Sequence, residues 1–137
     1  MKNHKRVELH WTGEGQVFTG AGRDGEPVTI DGDSAAGPGP MDTLLLSVAA
    51  CMGIDVLMIL EKSRVPVEEL SVVVEGNRNE EHPRRYRDID IRYRIRGPLE
   101  EHEPRLERAV TLSRDKYCSV LHSLREDIDI AVGIDRV

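Results

Sequence analysis

Apolar and polar residues alternate from Arg6 to Trp11, with Val7, Leu9 and Trp11 set against Glu8 and His10. A period of two predicts a half-buried strand. Gln16 to Ala21 and Pro27 to Ile30 read as two further strands, and Gly22-Arg23-Asp24-Gly25 between them carries the Asp-Gly pair of a hairpin turn. Asp31 to Pro40, rich in Gly, Pro, Ser and Ala, reads as a loop. From Met41 to Ser63 the pattern changes: Leu44, Leu45, Leu46, Val48, Ala49, Ala50, Ile54, Leu57, Met58 and Leu60 cover most sides of a helix. A helix apolar on all sides is one covered on all sides, so this segment is expected at the centre of the fold. Pro40 suits a helix start, Asp42 suits the positive end of the helix dipole, and Pro66 ends the run.

Beyond Pro66 the period of two returns. Leu70 to Glu75 is a β-branched run, and Ile89 to Ile95 places Ile89, Ile91, Tyr93 and Ile95 on one face against Asp90, Arg92 and Arg94. Asn77 to Pro83 is the polar connection of the hairpin they form. Glu103 to Ser113 puts Leu106, Ala109, Val110 and Ser113 at helical spacing. A second short helix is expected over Lys116 to Leu124 with Tyr117, Val120, Leu121 and Leu124 inward, and Ile128 to Ile134 alternates as a closing strand. Strand runs and helices segregate, without the regular βαβ alternation of a parallel sheet. The expected class is α+β, with antiparallel sheet wrapped on helices.

The 137 residues suit a single domain over 1–137. A formal charge of −6 argues against nucleic-acid or anionic-membrane partners. Arg84, Arg85, Arg87, Arg92, Arg94 and Arg96 do cluster, but acidic residues interleave with them, as on a solvated strand face. Met1 to Arg6 is polar, with no secretory signal after it, and Leu44 to Leu60 is interrupted by Ser47, Gly53 and Asp55 and falls short of a membrane span. A cytoplasmic protein is expected, with reduced thiols.

Candidate chemistry rests on two cysteines, Cys51 and Cys118. They form no CxxC pair and supply too few sulfurs for a thiolate zinc site, and the five histidines lack metal-ligand spacing, so no metal is expected. No Gly-x-Ser-x-Gly elbow and no phosphate-cradling glycine motif is present. Taken alone, Cys51 reads as a small residue of an apolar helix. A reactive thiol needs a nearby cation or a helix N-terminus. Nothing within one turn supplies a cation, and Asp55, on the same face at i+4, opposes thiolate formation unless it is paired.

Pro40-Met41-Asp42-Thr43-Leu44-Leu45-Leu46-Ser47-Val48-Ala49-Ala50-Cys51 resembles the helix start of the OsmC/Ohr superfamily, and Ile54-Asp55-Val56, Leu60-Glu61-Lys62, Arg64 and Tyr117-Cys118-Ser119-Val120 continue the likeness. Gly22-Arg23-Asp24-Gly25 is similar to the N-terminal turn of the organic-peroxide-resistance branch. The Pro-Met-Asp start and the Cys51-x-x-Ile54-Asp55-Val56 spacing look most like the YhfA-like subgroup. The resemblance implies an OsmC-like fold, an intertwined homodimer with strands of both chains around each long helix. It implies thiol-dependent reduction of organic hydroperoxides or hydrogen peroxide, with Cys51 peroxidatic, Cys118 resolving, Arg23 steadying the thiolate, a dithiol as reductant and no cofactor. Peroxidase branches carry glutamate directly after the proline, where this chain has Met41. Asp42 lies about 100° further round the helix, which leaves Arg23 less firmly oriented. The same fold could instead hold a small apolar or electrophilic ligand in a dimer cleft without peroxide turnover, which Met41 favours, or be a structural dimer with buried, inert cysteines.

Overall fold

A computed structural model describes residues 3–22 and 25–137. The chain divides into two compact units, Met1–Leu44 and Leu45–Val137. In the first, β1 (Glu8–Trp11), β2 (Val17–Ala21) and β3 (Val28–Asp31) form an antiparallel sheet in that order. All four residues of β1 are exposed. Gly20 is required where β1 crosses: a Cβ there would stand 2.0 Å from the Glu8 carbonyl oxygen. The loop after β3 is held by the buried carboxylate of Asp31, which accepts hydrogen bonds from the amides of Asp33, Ala35 and Ala36. These bonds, that of Ala36 foremost, hold its carboxyl below the usual value against the opposing pull of burial.

The second unit contains β4 (Glu69–Arg78), β5 (Tyr86–Arg96) and β6 (Asp129–Arg136) in that order. β4 and β5 pair antiparallel, as their hairpin requires. β6 runs parallel to β5, which corrects the expectation of a purely antiparallel sheet. A 3₁₀ turn (Glu100–His102), α2 (Glu103–Leu112), a π-helical turn (Ser113–Tyr117) and α3 (Ser119–His122) intervene and bring the chain back to the start of β5. The α+β class stands, with a mixed second sheet. Along β5 the predicted alternation holds: Ile89, Ile91, Tyr93 and Ile95 are buried, and Arg92, Arg94 and Arg96 are exposed. Arg92 forms a bidentate pair with Asp135, Arg96 reaches Glu68 and Glu69, and Arg85 pairs with Asp127, so half of the arginine cluster is ion-paired at the surface.

α1 (Pro40–Lys62) opens on Pro40 with Asp42 in its first turn. It ends with Arg64 in the left-handed region, φ 58°, while the Arg64 amide bonds the Glu61 carbonyl and the Val65 amide that of Leu60. This paired closure caps the last turn before Pro66. Gly53 lets the helix approach β4, since a Cβ there would lie 3.3 Å from Val72 Cγ2.

The expectation of a helix covered on all sides is met on one side only. Val48, Met52, Val56 and Leu60 form a fully buried stripe at i, i+4 spacing. Leu46, Ile54, Leu57 and Met58 are 45–57% exposed. Leu46, Ile54 and Met58 are each offset by two residues from the buried stripe, about 200° round the helix, so they face the opposite way. One chain therefore covers one face of α1.

α2 buries Leu106, Ala109 and Val110 as expected, and Ser113 follows them inward. The short helix expected over Lys116 to Leu124 is interrupted. The π-helical turn ends at Cys118, whose extended backbone, φ −72° and ψ 96°, breaks the run before α3 begins. Tyr117, expected inward, is instead 48% exposed, because the wider turn rotates it away from the α2 face.

Candidate functional site

Cys51 lies mid-way along α1, one residue from the buried stripe and one from the exposed stripe, about 100° from each. It is half-buried, and Asp55 is its neighbour one turn on. Cys118 arrives from the other end of the unit, at the break between the π-helical turn and α3, and is fully buried. The fold brings these three together: Cys51 Sγ, a carboxylate oxygen of Asp55 and Cys118 Sγ all lie within 4.8 Å of one another. Both cysteines singled out from the sequence thus belong to one site. Arg23 and Asp24 lie outside the described residues.

Two further polar side chains enter the site. Ser113 Oγ donates to Asp55 Oδ2 at 2.8 Å, so the carboxylate that faces the thiols is paired with a neutral hydroxyl and not with a cation. Among the described residues, Asp55 has no ion pair. Tyr93, from β5, is fully buried, and its hydroxyl has no hydrogen-bond partner. Burial above all holds the phenol well above its usual value, and the charges of Cys118, Asp55 and Cys51 act in the same sense. Ser113 lies near enough to temper that effect, but its hydrogen is directed to Asp55.

The sequence marked Tyr93 and Ser113 only as inward positions. The available signal was that each carries a polar tip on an otherwise apolar face.

Cys118 is set up to remain a thiol. Burial, foremost, pushes it up to about 11, and the hydrogen bond to Cys51 and the charges of Cys51 and Asp55 add to the shift. The Leu121 amide opposes them by donating to the sulfur at 3.3 Å. The ordinary value is 9.0, so the folded state holds the proton more tightly than the unfolded chain. The stability this contributes is complete below pH 9 and is lost as pH rises through about 11. Urea unfolding of wild type and Cys118→Ser should therefore show a stability difference that shifts against the wild type across that window. A pH-independent difference would contradict the assignment.

The site offers two sulfurs of unequal exposure, a carboxylate held in place and an unpaired phenol. Two thiols so placed can exchange redox equivalents or share a soft metal ion. A count of sulfurs made a metal site look short of ligands; Asp55 supplies a third donor beside Cys51 and Cys118.

Comparisons with known proteins establish the family and the fold. Residues 31–133 match the family model of OsmC-like protein, a span that includes both cysteines, Asp55, Tyr93 and Ser113. Protein YhfA of Escherichia coli K12 is 35% identical over 126 residues, covering 91% of this chain and 92% of that protein. The crystal structure of a hypothetical protein from Aquifex aeolicus VF5 is 33% identical and superposes with a TM-score of 0.85, covering 98% of this chain and 97% of the other. An organic hydroperoxide resistance protein from Legionella pneumophila superposes with a TM-score of 0.69 and covers 98% of both chains; at 14% identity it speaks to the fold alone. α1 is long and apolar enough to cross a membrane, and in this fold it is the core helix. The match across three quarters of the sequence, the full-length relative and the shared architecture agree: the chain belongs to the OsmC-like protein family.

Proposed function

We propose that the protein is a cysteine-based peroxidase that reduces organic hydroperoxides or hydrogen peroxide, with Cys51 peroxidatic and Cys118 resolving. The observation that carries this reading is the approach of Cys51 Sγ to within 4.8 Å of Cys118 Sγ, with Cys51 the more accessible of the two. The Cys51 thiolate attacks one peroxide oxygen, the O–O bond breaks, and the alkoxide leaves as alcohol once protonated. Cys51 is left as a sulfenic acid. The Cys118 sulfur then attacks the Cys51 sulfur, the S–O bond breaks, and the Cys118 proton, which Asp55 is close enough to relay, joins the departing hydroxide as water. Closing to a disulfide of about 2.0 Å needs a shift of no more than about 2.8 Å. An external dithiol returns both cysteines to thiols.

The protein acts as a homodimer in this proposal, with the exposed apolar face of α1 against the second copy, in a reducing compartment such as the cytoplasm. Arg23 steadies the Cys51 thiolate in this proposal, and Met41 in place of glutamate leaves it loosely held. Stopped-flow oxidation across pH tests these roles. Cys51→Ser should abolish peroxide consumption, Arg23→Ala should lower the second-order rate without disturbing assembly, and Met41→Glu should raise it. A Cys51→Ser variant that consumes peroxide like wild type would overturn the reading. If Arg23→Ala reacts as fast as wild type, Arg23 is a turn residue only.

Met41 also favours a second reading, in which the cleft holds a small electrophilic ligand without turnover. A Cys51 thiol that alkylates readily while peroxide leaves it reduced would support that alternative.

A further inference from the structure

Asp55 is an awkward neighbour for a thiolate but a natural one for a metal ligand. It brings a carboxylate into a cluster of two thiols, and among the described residues its partner there is the neutral Ser113 hydroxyl. We propose that Cys51, Asp55 and Cys118 form a binding site for a soft divalent transition-metal ion of the zinc type. This does not depend on peroxide chemistry.

Geometry is the first support. Around a tetrahedral ion with metal–sulfur bonds of about 2.3 Å and metal–oxygen bonds of about 2.0–2.2 Å, ligand atoms stand roughly 3.4–3.8 Å apart. The three donors already lie within 4.8 Å of one another, so they need only draw in by about 1 Å. The second support is the shell around them. Metal-bound carboxylates are oriented by outer hydrogen bonds, and Ser113 gives Asp55 such a bond at 2.8 Å. The third is Tyr93. Its fully buried hydroxyl has no hydrogen-bond partner among the described residues, so it is a donor available to a water or small anion in the fourth position. Two sulfurs select a soft ion, while magnesium and calcium require an all-oxygen shell.

Binding is balanced as one divalent ion taken up by two thiolates and the Asp55 carboxylate, with the two thiol protons released. The bound complex carries one net negative charge. Both thiols are then coordinated, so the ion and a thiol-directed oxidant or alkylating reagent compete for the same atoms.

Anaerobic titration of the reduced full-length protein with cobalt(II) tests the site. Wild type should develop a thiolate-to-cobalt charge-transfer band in the near ultraviolet and the strong visible bands of a tetrahedral ion, saturating at one cobalt per chain. About two protons should be released per ion in weak buffer, and zinc should displace the cobalt. Bound zinc should protect Cys51 and Cys118 from iodoacetamide. Cys118→Ser should lose the charge-transfer intensity of one thiolate and bind far more weakly. Ser113→Ala should keep the stoichiometry but lose about 10–100-fold in affinity, as outer-shell variants do. No charge-transfer band in folded wild type would overturn the proposal. So would Asp55→Asn binding as tightly as wild type, or retention of the full spectrum after Cys51→Ser and Cys118→Ser are combined.

Discussion

Ile54→Glu combined with Met58→Glu should turn the protein from a dimer into a monomer at micromolar concentration. Both side chains stand on the face of α1 opposite its buried stripe, 57% and 53% exposed, on the same side as Leu46. A contiguous apolar face on a core helix marks an interface, and permanent interfaces bury more than about 2,000 Å². A carboxylate placed there without a partner costs several kcal/mol in each copy, and a two-fold interface counts every substitution twice. Sedimentation equilibrium should show the wild type dimeric and the variant monomeric with a lower, concentration-dependent Tm. A wild type that is a stable folded monomer at micromolar concentration, or a double variant that stays dimeric, would contradict the arrangement.

The second large effect is chemical. Wild type exposed to a slight excess of alkyl hydroperoxide should lose two hydrogens per chain by mass spectrometry and recover them with a dithiol. Cys118→Ser removes the sulfur that lies within 4.8 Å of Cys51. The sulfenic acid then has no resolving partner in its own chain, and repeated exposure should carry Cys51 on to the sulfinic state, which a dithiol does not reverse. The expected difference is nearly complete: reversible loss of two hydrogens in one protein, irreversible gain of two oxygens in the other. Cys51 that stays a thiol in both would remove the peroxidase reading and leave the metal site to be judged by its own experiment.

What the sequence made legible was local. The alternation from Ile89 to Ile95 is a short-range pattern, and β5 follows it residue by residue. The α1 boundaries were written in Pro40 and in the stop before Pro66, and the helix ends within one residue of the expected place. The parallel pairing of β6 was not legible, because strand direction depends on how α2 and the turns after it carry the chain back. Nor did the apolar α1 sequence say which of its faces one chain covers, since both stripes consist of the same residue types.

The site divides in the same way. The family resemblance singled out Cys51 and Cys118, and helical spacing put Asp55 beside Cys51. The bond from Ser113 to Asp55 spans 58 positions and joins elements that no periodicity relates. Tyr93 looked like any other inward residue of β5 until its hydroxyl proved to have no partner. The role assigned to Arg23 lies outside the described residues and rests on its variant.

The proposed disulfide would tie the redox state of the site to the order of a neighbouring segment through Cys118. Its sulfur is the acceptor that begins α3, taking the Leu121 amide at 3.3 Å. Once that sulfur moves toward Cys51 to form a disulfide, it leaves the Leu121 amide behind. The proposed disulfide would thus remove one of the bonds that start 119–122, leaving the His122 amide on the Cys118 carbonyl at 3.1 Å. The Leu121 amide thereby becomes a built-in gauge: slow to exchange with solvent in the dithiol form, fast in the disulfide. If the proposed disulfide loosens α3, its partly covered Val120 and Leu121 open to solvent, and the oxidised form then offers a reductant a surface that the reduced form keeps closed.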